Sequence, residues 1–252
     1  MEIRGGGEVM LIQNTSVTVN YKKIDGIKKA YINNEEKLHK YFNLGTVLPI
    51  PDNAPLEIPR IMVETVNEHG QLLISPIRTT FNVNYNAGFE MDWAKCSQYI
   101  KERMRCIFDL LNIITKDSYE YIGLVSTILF DDIKENGTNV IANNLIKSKN
   151  INDLYDIDIK FTFVEDNKIY TNITLQDARI FKSGVDIAKA GDLSFKNQIE
   201  ESVGVILDIN DRYGFNNNPN YVSGSDVLEQ LIYYMDHVIN NKLETLVRKG
   251  EL

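Results

Sequence analysis

The sequence predicts an α+β protein with two similar halves, in which each half is an antiparallel sheet packed by a long amphipathic helix. Three observations support this fold class: polar and apolar residues alternate in several stretches, turn-forming residues separate these stretches, and two segments repeat apolar residues at helical spacing. The chain has 252 residues, of which 43% are hydrophobic and 25% are charged. This composition is typical of a globular protein, and a chain of this length can bury a large core without disulfides.

The first half, residues 1–116, begins with a strand. Residues 15–24 alternate between apolar and polar side chains, which is the period of a strand with one buried face. Four prolines then make residues 48–59 an extended connector, because proline cannot donate to a sheet ladder. After this connector, residues 61–66 and 72–86 predict a hairpin.

A long helix closes the first half. Asp92 is a residue type that caps helix N-termini, and apolar residues follow it at intervals of three or four. Cys96 and Cys106 lie about 15 Å apart along this helix, which is too far for a disulfide. The members of the single apolar stripe are Trp93, Cys96, Ile100, Met104, Ile107, Leu111 and Ile114.

The second half, residues 117–252, starts with another strand. Residues 121–130 are almost continuously apolar, which predicts a strand covered on both faces. Residues 156–164 and 168–180 predict a hairpin, and residues 202–209 have the alternation of a further strand.

The last helix is predicted to open at a capping box, in which Ser223 and Asp226 bind each other's backbone N–H groups. From Leu228 to Leu246, an apolar stripe at helical spacing predicts one continuous helix. Both halves place a strand and a short helix before further strands and a long helix. The order of elements therefore suggests a duplication, whose halves form either two domains or one continuous domain.

Charge and motifs exclude several function classes. The formal net charge of −8 argues against broad nucleic-acid binding. No apolar run approaches the roughly 18 residues that a membrane span requires. Residues 1–10 lack the pattern of a secretory signal, so we expect a cytoplasmic protein without membrane association. Because the chain has no dinucleotide fingerprint, Walker loop or G-x-S-x-G turn, no cofactor is expected.

Catalytic signals are sparse. The three histidines, His39, His69 and His237, do not lie at metal-ligand spacing from one another or from a cysteine. Aspartates on or next to predicted strands leave one enzymatic alternative, a metal-dependent hydrolase or nuclease. In that alternative, the residues that hold the metal are Asp158, Asp208 and Asp211.

Polar faces of the predicted strands favour a binding function instead. If the two strands that carry them are neighbours, Ser16, Thr18 and Asn20 join a second polar row to form an uncharged platform with one arginine. Such a platform binds a ligand or partner through hydrogen bonds. Tyr213 and Phe215, in an asparagine-rich loop, are the aromatic residues that we expect to be exposed for contact. The predicted binding residues are thus Arg78, Asn82, Asn84, Tyr213 and Phe215.

The order of several short motifs resembles a known family. Residues 56–60 lead into the first hairpin, Asp92 and Trp93 open a helix, and residues 205–209 precede a loop and the terminal helix. This layout resembles a sporadically distributed family of uncharacterised bacterial proteins of similar length. The resemblance implies a duplicated α+β fold and an association with mobile-element or phage-conflict loci, and it carries no catalytic residues over to this chain.

From these patterns we predict a non-catalytic binding or interaction protein. Its partner is expected to be another protein or a small polar ligand, held against the sheet faces. The sequence leaves self-association into a homo-oligomer open.

Overall fold

The computed structural model describes residues 10–86, 88–116, 118–133, 135–147, 154–181 and 198–252. A 3-10 turn, Glu35–Leu38, and a π turn, Ala142–Ile146, lie between longer elements. The strands in these ranges are β1 (Met10–Asn20), β2 (Thr46–Val47), β3 (Ile61–Glu64), β4 (Gly70–Ile74), β5 (Arg78–Asn84), β6 (Tyr121–Phe130), β7 (Asp158–Glu165), β8 (Ile169–Phe181) and β9 (Gln198–Asn210). The α-helices are α1 (Ile27–Ile32), α2 (Trp93–Thr115), α3 (Gly137–Ile141), α4 (Arg212–Asn217), α5 (Val227–Asn241) and α6 (Leu243–Lys249).

All the described strands belong to one antiparallel sheet, in the order β2-β3-β4-β5-β1-β6-β9-β8-β7. β1 lies in the middle and pairs with β5 on one side and with β6 on the other. β6 pairs in turn with β9. The strands before residue 85 thus lie on one side of the β1–β6 junction, and the strands after residue 120 lie on the other. Helices combined with an antiparallel sheet confirm the predicted α+β class.

A continuous hydrophobic core lies between one face of the sheet and the helices α1, α2, α3, α5 and α6. Alternate residues of each strand point into it, because successive side chains of a strand project to opposite faces. No helix within the described ranges has the length and apolar character of a membrane span. Members of the core include Val19, Phe81, Leu124 and Leu207 from the strands and Ile107, Leu231 and Met235 from the helices.

α2 begins where the sequence predicts. The Asp92 carboxylate accepts a hydrogen bond from Lys95 N at 3.1 Å, which satisfies one free N–H group of the first turn. The helix ends at Lys116, whose φ of 56° is left-handed. Cys96 and Cys106 are both free and buried.

Four elements differ from the predictions. The first strand spans Met10–Asn20 instead of residues 15–24. Residues 72–86 form two strands, β4 and β5, because the chain turns at Ser75, whose N–H and hydroxyl both donate to the Arg78 carbonyl. In β6, buried and half-buried residues alternate up to Ile128, so most of this strand is covered on one face only. The last apolar stripe is divided between α5 and α6, since the backbone leaves helical geometry at Lys242.

The β1–β6 junction contains a buried pair of hydroxyl groups that provides a test of this pairing. Thr15 Oγ1 lies 2.8 Å from Ser126 Oγ, and both residues are almost completely buried. Ser126→Ala leaves the Thr15 hydroxyl without this partner, and we expect it to lower the free energy of unfolding by about 1–2 kcal/mol. In a urea-denaturation cycle with Thr15→Val, we expect a coupling energy of about 1 kcal/mol.

The half-buried pair Thr18 and Thr80 serves as the matched control. Their hydroxyl oxygens are 3.2 Å apart across β1 and β5, but water can replace either partner there. The same cycle on this pair should give a coupling energy close to zero. If the losses of unfolding free energy caused by Thr15→Val and Ser126→Ala simply add, without a coupling energy, the buried hydrogen bond between the two residues is contradicted.

Candidate functional site

The side of the sheet opposite the core is polar, and we call it the open face. Side chains directly opposite each other on antiparallel strands project to the same side. The paired residues of β1 and β5 that project to this face are half-buried or exposed. The residues that alternate with them project to the core and are buried. Arg78, Asn82 and Asn84 therefore share one surface. The opposed pairs are Asn14 with Asn84, Ser16 with Asn82, Thr18 with Thr80 and Asn20 with Arg78.

Amide groups on the two sides of the open face differ in their hydrogen bonding. Asn172 Nδ2 on β8 donates to the Asp208 main-chain oxygen at 3.1 Å, and Asn210 Nδ2 on β9 donates to the Asp208 carboxylate at 2.8 Å. The side chains of Asn82 and Asn84, in contrast, make no hydrogen bond to the described parts of the chain. Each amide offers two donor hydrogens and an acceptor oxygen. The β1–β5 side is therefore where a ligand meets unused hydrogen-bonding groups.

Four aromatic side chains lie at the end of the open face where β6 begins, and we call Tyr121, Tyr170, Tyr213 and Phe215 the aromatic corner. Tyr121 stands opposite Asn20 on β1, and its ring centre lies 5.5 Å from that of Phe215 on α4. Tyr170 on β8 meets Tyr213 edge-on, with ring centres 5.2 Å apart. Phe215 is 37% exposed and Tyr213 is half-buried. The two predicted aromatic contacts thus lie beside one end of the polar rows. They lie on helix α4 and not in the predicted loop, and of the two only Phe215 is exposed.

Two arginines flank the aromatic corner. Arg78 stands opposite Asn20, whose other neighbour across the sheet is Tyr121. The Arg212 guanidinium lies 5.4 Å from the centre of the Tyr121 ring, within cation–π range. Both arginines are exposed, and neither forms a salt bridge with any residue that the structure describes. Sequence reasoning found Arg78 but missed Arg212 and Tyr121, because only the β1–β6 pairing brings them near Asn20.

A buried carboxylate fixes α4 to the end of the sheet. Asp211 has no exposed surface and accepts hydrogen bonds from Ile122 N at 2.6 Å, from the Tyr221 hydroxyl at 2.5 Å and from the Ser223 hydroxyl at 2.5 Å. We call these four residues the Asp211 cluster. Because α4 begins at the next residue, the cluster positions Arg212 and the ring of Phe215.

A glycine allows α4 to approach the cluster closely. Gly214 N donates to the Lys168 carbonyl oxygen at 2.9 Å, which ties α4 to the start of β8. A Cβ atom on Gly214 would lie 2.9 Å from the Tyr221 ring, so a larger residue would displace the ring whose hydroxyl binds Asp211.

Burial shapes the titration of the Asp211 cluster. It raises the pKa of the Asp211 carboxyl above its ordinary value, while hydrogen bonds from Ser223, Tyr221 and Ile122 act in the opposite direction. Burial also raises the pKa of the Tyr221 hydroxyl, and its hydrogen bond to the Asp211 carboxylate adds to that shift. The tyrosine therefore stays protonated and continues to donate.

The structure corrects the role predicted for Ser223. α5 begins at Val227, after Asp226, and no side chain caps it. The Ser223 hydroxyl is instead used by Asp211, and Ser223 forms a β-bridge with Tyr119. The Ser223 hydroxyl binds a carboxylate twelve residues away and not the end of the helix. A buried carboxylate without hydrogen-bond donors costs more free energy than an uncapped helix end that water can reach.

The three aspartates of the enzymatic alternative do not meet. Asp158 pairs with Gln176 on β8, whereas Asp208 pairs with Asn172, four residues or about 13 Å further along that strand. Asp211 lies beyond the strand end, where its carboxylate accepts three internal donors. Among the residues described, no three His, Cys, Asp or Glu side chains are arranged to hold a metal ion.

No protein-family model matches this chain, and no curated protein sequence matches it. Its function is therefore inferred from the side chains of the open face and the aromatic corner.

The Asp211 cluster predicts a stability effect. Asp211→Ala removes the acceptor of three hydrogen bonds and leaves a buried N–H group without a partner. Since each unsatisfied buried donor costs about 1–3 kcal/mol, we expect urea denaturation to show a loss of at least about 2 kcal/mol. An unchanged unfolding free energy would contradict the assigned role.

Asp211→Asn is the matched control for this substitution. Its amide oxygen can accept from Ile122 N, and its NH₂ group can donate to the Tyr221 and Ser223 hydroxyls. Because the folded-state pKa of Asp211 is raised, its contribution to stability is fully present below the unfolded pKa and is lost as pH rises through the folded pKa. The stability of Asp211→Asn relative to the wild type should therefore increase with pH over that window. A pH-independent difference would contradict the raised pKa.

Proposed function

We propose that this protein is a non-catalytic binding protein that holds a small polar ligand on the open face. The observation that carries the proposal is the pair of unused amide groups of Asn82 and Asn84, which we call the amide row, beside the hydroxyls of β1 and β5. Such groups both donate and accept, so they suit a ligand rich in hydroxyl, carbonyl or amino groups. Because the strands of the sheet hold the backbone of these residues in place, little backbone entropy is lost when a ligand binds to them.

The aromatic corner supports the same proposal. Small-molecule sites usually combine apolar or aromatic surface with a few well-placed polar groups. Phe215 and Tyr121 supply that surface next to Asn20, in the row of Arg78, about 13 Å along β5 from Asn82. A flat ring of a ligand can rest on these side chains while its polar substituents reach β1 and β5.

We also infer that the fold arose by duplication of one unit. In the first half, β1 pairs with β5, the last strand before the long helix α2. In the second half, β6 pairs with β9, the last strand before α4 and α5. The two opening strands pair with each other in antiparallel fashion, which is the arrangement that a two-fold relation between repeats produces.

A charge placed in the amide row tests the proposed site. Asn82→Glu introduces a carboxylate between Ser16 and Gln71, its partners on the neighbouring strands. In a thermal-shift screen against a broad metabolite library, we expect at least one polar compound to raise the melting temperature of the wild type, since binding to the folded state alone stabilises it. Asn82→Glu should abolish that shift.

Asn53→Glu is the matched control, because it adds the same charge at an exposed position in the loop before β3. It should preserve the ligand-induced shift. Unliganded melting temperatures should change little in both variants, as expected for accessible positions. The proposal is contradicted if every stabilising compound acts equally on Asn82→Glu, or if no compound in the library stabilises the wild type.

A further inference from the structure

We propose that the ligand of the open face is a mononucleotide, which stacks its base on the aromatic corner and places its phosphate between Arg78 and Arg212. This inference rests on the proposed function and specifies the ligand class for the same site. It depends on the coincidence, at one end of the sheet, of exposed aromatic surface, two arginines without ion pairs, and the unused amide group of Asn20.

The first step is the position of the two arginines relative to the rings. Asn20 stands between Arg78 and Tyr121 in one row across the sheet. Since neighbouring strands lie about 4.8 Å apart, the Cα atoms of Arg78 and Tyr121 are about 10 Å apart. Arg212 reaches over the Tyr121 ring from the side of α4. A single small ligand can therefore contact both guanidinium groups and the rings.

The second step is the availability of the arginines for an anion. Most other arginines of the described residues are committed to partners: Arg60 donates to main-chain carbonyl oxygens, and Arg103, Arg179 and Arg248 pair with acidic side chains. Arg105 has no such partner among the described residues, but it lies on α2, outside the open face. Arg78 and Arg212 are exposed and have no such partner in the described ranges. Guanidinium groups bind phosphate with two parallel hydrogen bonds, so the corner suits a phosphate better than it suits a neutral sugar.

The third step limits the size of the anion. Single-stranded nucleic acids need a cationic groove that follows several phosphates, and their affinity grows with the number of neutralised phosphates. Here Asp208 lies on the same face, and the whole chain has a net charge of −8. With this negative charge nearby, the two arginines can bind one phosphate group but not a series of phosphates. The amide of Asn20, beside the rings, can then bind the polar edge of a base.

Isothermal titration calorimetry of the full chain at low salt tests this inference. The probes are the four ribonucleoside 5′-monophosphates, the corresponding nucleosides, inorganic phosphate and an oligothymidylate. We expect at least one monophosphate to bind measurably and its nucleoside to bind about tenfold more weakly, because it lacks the charged contact. Arg78→Gln or Arg212→Gln should weaken the monophosphate to a similar extent and leave the nucleoside unchanged. Phe215→Ala should weaken both.

Arg105→Gln is the matched control, since Arg105 is an exposed arginine on α2 outside the open face. It should bind the monophosphate as tightly as the wild type does. The inference is overturned if no monophosphate binds at millimolar concentration, if inorganic phosphate binds as tightly, if the arginine variants are unaffected, or if the oligothymidylate binds much more tightly. A ligand without ring or phosphate that loses its thermal shift in Asn82→Glu would overturn this inference but preserve the proposed function.

Discussion

The antiparallel pairing of β1 with β6 is the contact on which the rest of the structure depends. It joins the strands of the first half to those of the second in one sheet, with β1 in the middle. On the core side, a buried hydrogen bond between the hydroxyl groups of Thr15 and Ser126 links the two strands. On the other side it brings Tyr121 next to Asn20, and through α4 it brings Arg212 and Phe215 to the same place. Without this pairing, the amide row and the aromatic corner would belong to separate surfaces.

The two faces of the sheet follow from one physical constraint, the two-residue period of a strand. Residues such as Val17 and Phe81 are buried under the helices, and their neighbours Ser16 and Asn82 must then project to the other side. Hydrogen bonding divides the open face further. The amides around Asp208 are used internally, whereas those on β1 and β5 are not. Recognition is therefore expected on the β1–β5 side, with the Asp211 cluster holding the aromatic groups beside it.

Local features of the fold could be predicted from the sequence, and long-range contacts could not. The Asp92 cap and the stripe of α2 depend on residues within a few positions of each other, and so does the alternation that places Asn82 and Asn84 on one side. The neighbours of Asn20 depend on strand pairing over about a hundred residues, which no local pattern encodes. Ser223 shows the same limit, because its hydroxyl has two reasonable partners and the buried Asp211 is the one that it binds.

Thiol labelling tests most directly whether the face that carries the site is open. Asn82→Cys and Asn84→Cys place a thiol in the amide row, whereas the native Cys96 and Cys106 are buried and serve as internal controls. Burial raises the pKa of the Cys96 thiol to about 12, so it should resist alkylation at neutral pH. We predict rapid alkylation of both introduced cysteines in the folded protein, and slower alkylation when a ligand identified by thermal shift is present. Introduced thiols that react only after unfolding would show that the face is covered and would contradict the account.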